Sequence, residues 1–410
     1  MIDRINMKRL QRVVSGRWMA FILCCVANLC CQQKPPAVKI IKATYSFLEP
    51  AYDNIRLVSS GDTLNFALDE HTYNTVGSFS HFIHNGTAYI AFYDKGSKSF
   101  SVYDFASQQL VRRIPLKKWV NSTKLDKASM YIKDFDSIFV TTQTKLYLLD
   151  STGTEKKRFE FPEESDKRGF FSNVAPPVMV GNMLYMSIRP LIDEKSVEAQ
   201  QKWRVLYGIN VQSGEKERYY QLPETYQKNL YGYSFLDYSY CFNDRGNFVF
   251  SFAADTNIYE TNLKDYHRAY YARSRFQSGP IKPVTKDDLR HDDSYKLYTL
   301  RDSYGPIFYD RYKKRYLRQA KQKISEADFL AKNTSKKRTI IIFNEQFKII
   351  GESETNGQFS FSSLFFTKDG GIYARINPAD EHALHFVRLV YEEKTDDPVK
   401  LAQHPIPTSK

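Results

Sequence analysis

The feature that most restricts the fold of this chain is a hairpin signal that recurs about every 57 residues between Asn85 and Asp369. Each signal places alternating apolar residues on both sides of a short turn. The turns are rich in Asn, Asp and Gly, which tolerate the positive φ angles of tight hairpins. Five turns are directly visible and a sixth is inferred between Asp310 and Lys314. The five lie at Asn85-Gly86, near Asp136, at Gly181-Asn182, at Asp244 to Gly246 and at Asp369 to Gly371.

A second hairpin with its own signature follows most of the first ones. It consists of alternating apolar residues, one Asp or Asn, a polar turn and a basic outer strand. The Asp or Asn residues are Asp104, Asp150, Asn210, Asn262 and Asn344. Two hairpins make four strands per unit. Six units therefore predict an all-β fold, a six-bladed β-propeller of four-stranded antiparallel blades.

Two separate β-sandwiches are the alternative architecture. They require a linker near residue 200, where the segment EAQQKWRVLYGI (198–209) reads as a continuous strand. The last unit lacks a fourth strand, because FVRLVYEEKTDD (386–397) runs into a polar tail. A spare strand pattern lies in DNIRLVSSGDTLNFALDE (53–70). We expect this N-terminal strand to complete the last blade and close the ring, which removes an open sheet edge.

We predict a single propeller domain over residues 45–395 and a polar C-terminal tail over 396–410. Tyr and Phe, at 29 residues each, favour strands over disorder in a chain of 410 residues. Residues 275–335 depart from the repeat and read as a long insertion. Within it, SEADFLAKN (325–333) has a Ser-x-x-Asp capping pattern and predicts a short helix.

The N-terminus has the composition of a secretory signal. Basic residues between Arg4 and Arg17 precede the apolar run WMAFILCCVANLCC (18–31), and QQKPP ends it. This run is shorter than the roughly 20 residues that a membrane-spanning helix needs. We predict a lipoprotein signal peptide over 1–30 and a tether over 31–44. A buried or amphipathic N-terminal helix is the alternative.

Four of the five cysteines lie within this apolar run, two of them at its end. In bacterial lipoprotein signals, a cysteine that follows a small residue becomes the first mature residue and carries acyl chains, which together anchor a protein stably. Cys31, preceded by Cys30, is the predicted lipid-attachment residue, and Cys25 is the alternative. With Cys31 lipidated, Cys241 has no partner for a disulfide, so the core must stabilise the fold.

The terminal cysteines of the signal, the aromatic strands and above all GPIFYDRYKKRYLRQAK (305–321) resemble a known family. This is domain-of-unknown-function family 4221, lipoproteins of the Bacteroidota. The resemblance covers about residues 45–395 and implies a six-bladed, propeller-like fold. It carries over no catalytic residue. Surface-exposed lipoproteins of that phylum tend to have acidic residues after the lipidated cysteine. CQQKPP (31–36) has none, which favours a cell-envelope location facing the periplasm.

Candidate metal-binding and catalytic groups are sparse. Histidines three residues apart on a strand face opposite ways, so neither histidine pair predicts a metal site. Carboxylate pairs fit turn-capping roles. The histidine pairs are His81/His84 and His382/His385, and the carboxylate pairs are Asp134/Asp136 and Asp292/Asp293. No nucleophile motif is present. We predict no cofactor, no metal and no catalytic residue.

The largest charge feature is a basic run in the fifth unit. Strand alternation in YDRYKKRYLR predicts Tyr312 and Lys314 on one face and Lys313 and Arg315 on the other. The run is either a solvated blade edge, since Lys protects edges, or a site for an anionic glycan, a lipid headgroup or an acidic protein. Its members are Arg311, Lys313, Lys314, Arg315, Arg318, Lys321, Lys323, Lys336, Lys337 and Arg338.

The formal net charge is +13, of which +4 lies in residues 1–30 and leaves about +9 on the remainder. An exported chain meets little nucleic acid, so we expect no nucleic-acid partner. The predicted function is that of a monomeric, membrane-anchored lipoprotein whose propeller binds or scaffolds a protein or an anionic glycan. The alternative is a periplasmic glycan-acting hydrolase or lyase. That chemistry needs two carboxylates that face each other across the channel, about 5–10 Å apart.

Overall fold

The structure is a computed structural model that describes most of the chain between Lys42 and Lys394. The described residues are 42–72, 74, 76–94, 96–116, 129–142, 144–161, 169–188, 192–291, 293–355, 357, 359–376 and 381–394. The predicted signal peptide, the predicted lipid-attachment residue Cys31 and the predicted C-terminal tail lie outside them. These assignments therefore stay predictions.

Strands dominate the described residues. In chain order they are β1 (Thr44–Ser46), β2 (Ile55–Ala67), β3 (Val76–His84), β4 (Thr87–Asp94), β5 (Ser99–Asp104), β6 (Leu110–Pro115), β7 (Ser129–Asp134), β8 (Ser137–Thr141), β9 (Lys145–Leu149), β10 (Glu155–Glu160), β11 (Gly169–Phe170), β12 (Val178–Val180) and β13 (Met183–Ile188). The remainder are β14 (Arg204–Asn210), β15 (Lys216–Gln221), β16 (Tyr238–Phe242), β17 (Phe248–Phe252), β18 (Asn257–Thr261), β19 (His267–Tyr271), β20 (Ser303–Asp310), β21 (Arg315–Lys321), β22 (Arg338–Phe343), β23 (Ile349–Glu354), β24 (Phe359–Phe366), β25 (Ile372–Ile376) and β26 (Ala383–Glu393).

These strands pair into six small antiparallel sheets, the blades of a propeller ring. Blades 1 to 6 contain β3–β6, β7–β10, β11–β15, β16–β19, β20–β23 and β24–β26 with β2. Blade 3 departs from the pattern, because β11 and β12 both pair with β13. The predicted all-β, six-bladed propeller is confirmed.

The two hairpin signals mark the two turns of each blade. Asn85 and Gly86 have φ angles of 49° and 80°, as a tight turn between first and second strands requires. Between third and fourth strands, each predicted Asp or Asn accepts hydrogen bonds from the backbone N–H groups that follow it in the turn. These acceptors are Asp104, Asp150, Asn210, Asn262 and Asn344.

The sixth blade combines strands from both ends of the described chain. β2 pairs antiparallel with β26 along nearly its whole length, from Ile55 opposite Glu393 to Ala67 opposite Ala383. A register shift between Ser59 and Thr63 interrupts this ladder. No hairpin joins these two strands, which explains why the sixth unit lacks the Asp or Asn signature of the other blades.

The residues that precede β2 run along the outer edges of two further blades, and we call residues 44–54 the N-terminal strap. Its first part, β1, pairs in parallel with β19 of blade 4. It then reaches β23 of blade 5, where Ala51 donates to the carbonyl of Ile349 at 2.9 Å and Asp53 bridges to Gly351. The strap and β2 therefore connect the outer edges of blades 4, 5 and 6.

Short helices lie in the longer connections. They are α1 (Val197–Lys202), α2 (Glu224–Lys228), a 3₁₀ helix (Tyr233–Phe235), α3 (Asp288–His291), α4 (Ser294–Thr299) and α5 (Glu326–Leu330). All of them follow a second or a fourth strand. Because neighbouring strands run in opposite directions, such connections leave the blades on one face of the propeller, which we call the helical face. The turns between first and second strands lie on the opposite face, which we call the turn face.

Two sequence predictions on these connections had different outcomes. The helix at 325–333 is confirmed as α5, and Ser325 Oγ accepts from the N–H of Asp328 at 3.0 Å. The prediction of a continuous strand over residues 198–209 is wrong, because α1 occupies the first half of this segment and β14 begins at Arg204. Gln200 is buried in α1, and Ser196 caps the helix by accepting from the N–H of Ala199. The polar residues of this segment thus serve a helix.

Candidate binding site in the central channel

A cavity of about 610 Å³ occupies the central channel, and all six blades contribute to its wall. Its volume lies within the range typical of small-ligand sites. Near the turn face, Ile83 is 57% exposed, and Lys133 and Arg311 are also exposed. These residues stand near the ends of their first strands, so the cavity opens to solvent at the turn face.

A turn inserted into blade 3 narrows the channel on the other side, and we call residues 171–177 the channel loop. The N–H of Phe171 donates to Ser129 Oγ of blade 2 at 2.7 Å, and Asn173 Oδ1 accepts from the N–H of Phe79 of blade 1 at 3.2 Å. The carbonyl of Val174 accepts from the N–H of Tyr240 of blade 4 at 3.2 Å. The loop thus spans the channel near the beginnings of the first strands and forms part of the cavity wall.

Aromatic rings make up much of the cavity wall. They come from all six blades, because each first strand or the segment next to it directs at least one ring into the channel. The rings are Phe79, Phe82, Tyr131, Phe171, Phe242, Phe308, Tyr309, Tyr312, Phe365 and Phe366. Flat apolar surfaces of this kind bury the faces of a ring-shaped ligand.

Two cationic side chains, Lys133 and Arg311, stand in this aromatic wall. The guanidinium of Arg311 lies 3.5 Å from Asp244 Oδ1, and Asp244 also pairs with Lys314. Lys133 makes no ion pair with any residue that the structure describes. Among the described lining residues there is no Asp or Glu. The described wall is therefore positively charged. The two facing carboxylates that a glycan-acting hydrolase or lyase needs are not among these lining residues.

His81 is the third basic group of the cavity wall. Its ring stacks on Phe365 with 5.3 Å between centroids and packs edge-on against Phe105 at 5.4 Å. Burial lowers the pKa of His81 to about 4, so the imidazole is neutral at physiological pH. Its Nε2 is buried and has no hydrogen-bond partner among the described residues.

The basic run around the cavity mouth is arranged differently from the sequence prediction. Residues 311–314 form the turn of blade 5, where Asp310 Oδ1 accepts from the N–H groups of Tyr312 and Lys313. The turn inferred between Asp310 and Lys314 is confirmed. The alternating strand faces predicted for residues 312–315 are wrong, because only Arg315 belongs to a strand.

Other members of the basic run are internal. Arg318 is fully buried and donates to four backbone carbonyls of blade 4 and its flanking residues and to Ser251 Oγ, with Tyr304 beneath its guanidinium at 3.7 Å. Lys336 is also buried and donates to the carbonyls of Tyr298 and Arg301. Neither residue is available to a ligand, so the run is not one continuous anion site.

The predicted turn-capping roles of the carboxylates are supported where residues are described. Asp134 Oδ1 accepts from the N–H of Asp136 at 2.9 Å, and Asp293 caps α4 by accepting from the N–H of Tyr295 at 3.0 Å. Asp292 lies outside the described residues. His385 Nδ1 lies 2.6 Å from Asn65 Oδ1 on the neighbouring strand. The described residues contain no cluster of three metal-ligating side chains.

Sequence reasoning did not identify the channel site. Ser80, His81 and Ile83 lie on one strand like any other, and the channel loop has no repeat signature. The position of a residue relative to a predicted turn does carry information, because each first strand directly precedes such a turn. Ile83 and Lys133, just before the turns at Asn85 and near Asp136, and Arg311, the first residue of the blade 5 turn, reach the mouth of the cavity.

The fold and the channel together define a class, the six-bladed β-propellers, here with an aromatic and basic central cavity. Within that class, the chain belongs to the DUF4221 family, a domain of unknown function whose profile matches residues 54–354. The match begins just before β2 and ends with the last strand of blade 5. The resemblance inferred from the sequence is confirmed.

Two solved structures from Bacteroides have a similar fold. A DUF4221 family member from Bacteroides vulgatus ATCC 8482 is 22% identical, with a TM-score of 0.68 over 83% of this chain and 99% of that chain. A candidate exported protein from Bacteroides fragilis NCTC 9343 is 10% identical, with a TM-score of 0.53 over 87% of this chain and 100% of that chain. Likeness at these identities concerns the fold alone. No curated protein matches the chain.

Proposed function

We propose that this protein is an exported, lipid-anchored binding protein whose central cavity holds an anionic, ring-containing ligand such as an acidic saccharide. The observation that carries the proposal is the composition of the cavity wall. Aromatic rings from all six blades surround Lys133 and Arg311, and no described carboxylate opposes them. Aromatic faces bury the rings of the ligand, and the cations pair with its acidic groups.

Lys133 is the residue on which specificity for an acidic ligand depends. It extends from the end of β7 at the mouth of the cavity, and Tyr131, two residues earlier, lines the same wall. An ammonium group without a carboxylate partner gains more from an anionic ligand than Arg311, which already contacts Asp244. Binding an acidic group at Lys133 beside the ring of Tyr131 joins the two interactions in one place.

The location in the cell envelope is supported by two observations. The N-terminal segment combines basic residues, an apolar run and cysteines, and a structurally similar protein is a candidate exported protein. No helix among the described residues is long and apolar enough to cross a membrane. Attachment through lipid on Cys31, facing the periplasm, follows from the sequence pattern and keeps the propeller at a membrane surface.

Ligand binding is tested with oligogalacturonates and neutral maltooligosaccharides of matched length, by titration calorimetry. We expect the acidic series to bind and Lys133→Glu to weaken it by about 10- to 100-fold, because a hydrogen bond to a charged group contributes about 1.5–3 kcal/mol. Lys286→Glu is the matched control, since Lys286 is exposed on the helical face. Equal affinity of both variants, or a preference for the neutral series, contradicts the proposed site.

Lipid anchoring is tested separately with Cys31→Ser. We expect this change to block processing of the signal and to release the protein from the lipidated membrane fraction, because the acyl chains bury their methylenes in the bilayer. The measurement is metabolic labelling with a fatty acid, followed by membrane fractionation. Cys25→Ser is the matched control and should leave labelling unchanged. Unlabelled wild-type protein contradicts the anchor and leaves the channel site unaffected.

A further inference from the structure

The outer edge of blade 4 carries an exposed aromatic surface, which we call the rim surface. It is formed by residues 44–48 of the N-terminal strap and by residues 266–276 at the end of the blade. Tyr45 and Phe47 are 55% and 53% exposed, and Leu48 and Phe276 are also exposed. Phe47 packs edge-on against Tyr271 at 5.2 Å, so the two segments form one continuous surface. The large apolar side chains that soluble surfaces expose are usually scattered, whereas these are grouped.

Cationic groups accompany these rings. The guanidinium of Arg268 lies 5.5 Å from the centre of the Tyr266 ring, and that of Arg273 lies 5.8 Å from the Tyr271 ring. Neither arginine forms an ion pair within the part of the chain that the structure describes. Arg275 pairs with Asp53 at 2.5 Å. Arg273 therefore accompanies Tyr271 and Phe47. The register of β1 with β19 pairs Arg268 with Thr44, so Arg268 extends from the other side of the same edge strand.

The strap also connects this surface to the predicted lipid-attachment residue. Ten residues, 32–41, separate Cys31 from Lys42. Fully extended, a chain of this length reaches at most about 40 Å. β1 is held against β19 by its parallel pairing, so the point at which the chain joins the propeller is the outer edge of blade 4. A membrane anchor on Cys31 consequently keeps the bilayer within reach of the rim surface.

We infer that the rim surface is a membrane-contact site that binds the interfacial region of an anionic lipid bilayer. The inference rests on the proposed lipid anchor and extends it. Tyr side chains, whose rings have a polar edge, are favoured in the headgroup region, and Phe side chains enter its boundary with the acyl chains. Arg273 lies beside these rings and Arg268 extends from the other side of the same edge strand, so anionic headgroups meet a positive charge on each side of the rim. The bilayer is thus the occupant that both the rings and the charges fit.

This contact determines which parts of the propeller remain accessible. The rim surface lies at the outer edge of the ring and extends toward the helical face, because residues 272–276 follow the fourth strand β19. A propeller docked by its edge leaves the cavity mouth open to the aqueous phase, because the mouth lies on the turn face. The membrane contact and ligand capture in the channel therefore do not compete for the same surface.

The test uses the mature lipidated protein, reconstituted into vesicles that contain phosphatidylglycerol and lipids brominated on the upper acyl chain. Phe47→Trp places a fluorescent reporter in the rim surface. Leu330→Trp is the matched control, because Leu330 is 81% exposed on the helical face. After subtraction of the wild-type fluorescence, we expect brominated lipids to quench the reporter at position 47 and to leave the reporter at position 330 unquenched.

Three outcomes overturn the inference. Equal quenching at positions 47 and 330, or none at 47 in protein that floats with the vesicles, removes the rim contact and leaves the lipid anchor in place. Protein that fails to float removes both the anchor and the contact. In a third outcome, the double variant Arg268→Glu, Arg273→Glu is quenched as strongly as the protein without these changes, and vesicles without anionic lipid give the same quenching. This outcome excludes a role of the charges in membrane binding. A drop in quenching with these substitutions supports the inference.

Discussion

Single residues in this propeller show how burial changes the role of a polar group. Arg318 lies in a basic stretch of sequence, yet it is fully buried and its guanidinium joins blade 5 to carbonyl groups of blade 4. Glu352 is similarly buried and accepts from Ser274 Oγ and Thr339 Oγ1, both at 2.5 Å. Such groups are stable inside a protein only when their hydrogen bonds are made. They act as connections between blades.

The protonation of His81 makes the free energy of unfolding depend on pH. Its pKa is about 4 in the folded protein and about 6.5 in the unfolded chain. Between these values the unfolded state binds a proton that the folded state does not, so stability is full above pH 6.5 and falls as the pH falls toward 4. The loss amounts to about 2–3 kcal/mol. His81→Phe should flatten this part of the profile, measured by denaturant unfolding at pH 7 and pH 4.5.

The stacking partners of His81 accept a phenylalanine ring, so the substitution is not expected to disrupt packing. His71→Phe is the matched control, because His71 is exposed. The free energy of unfolding of His71→Phe should depend on pH as that of the wild type does. If the free energy of unfolding changed with pH by the same amount in the wild type and in His81→Phe, the imidazole would have the same pKa in the folded and the unfolded state.

The elements of this fold depend on close backbone contacts as well as on apolar packing. The chain at the junction of the N-terminal strap and β2 lies against β23 so closely that a Cβ atom on Gly351 would overlap the carbonyl oxygen of Ile55. The N–H of Glu352 donates to the carbonyl of Tyr52 at 2.9 Å at the same place. Only a glycine permits this approach, since the obstacle is backbone and cannot rotate away.

Gly351→Ala should therefore detach the strap from blade 5. We expect a loss of stability of about 1–3 kcal/mol, because overpacking forces the backbone to shift. Limited proteolysis should then cut residues 44–54 before the blades. Gly279→Ala is the matched control, since a Cβ at Gly279 meets no atom within 4 Å. If the strap resisted proteolysis equally in both variants, the strap would accommodate the added Cβ by shifting without a loss of stability.

At the scale of the whole molecule, the ring depends on a strand that is remote in sequence from its partner. β2 and β26 are separated by more than 300 residues and still form the longest ladder of the fold. The segment also contributes core residues, since Ile55 is buried with residues of blades 5 and 6 and Phe66 with residues of blades 1 and 6. Contacts of such sequence separation form late and make the blades one cooperative unit.

Deletion of residues 52–70 should abolish cooperative unfolding of the propeller. The outer edge of β26 would then lie open, and an open edge invites pairing with other chains. We expect broadened thermal unfolding, measured by calorimetry, together with association in size-exclusion chromatography. A chain that lacks only residues 1–41 is the control and should keep one sharp transition. An unchanged transition after the longer deletion would show that β2 is peripheral to the ring.

The sequence by itself determined the strand repeat, the turns and hence the class of fold. These features are local: a glycine at positive φ, or an Asn that accepts from the next N–H groups, acts within a few residues and leaves a readable pattern. Only the tertiary structure decided which side chains form the cavity wall, that residues 171–177 cross the channel, and that Arg318 and Lys336 are buried. These facts depend on six first strands meeting around one axis. The position of each strand is set by its neighbours across the ring, and no short stretch of sequence records that distance.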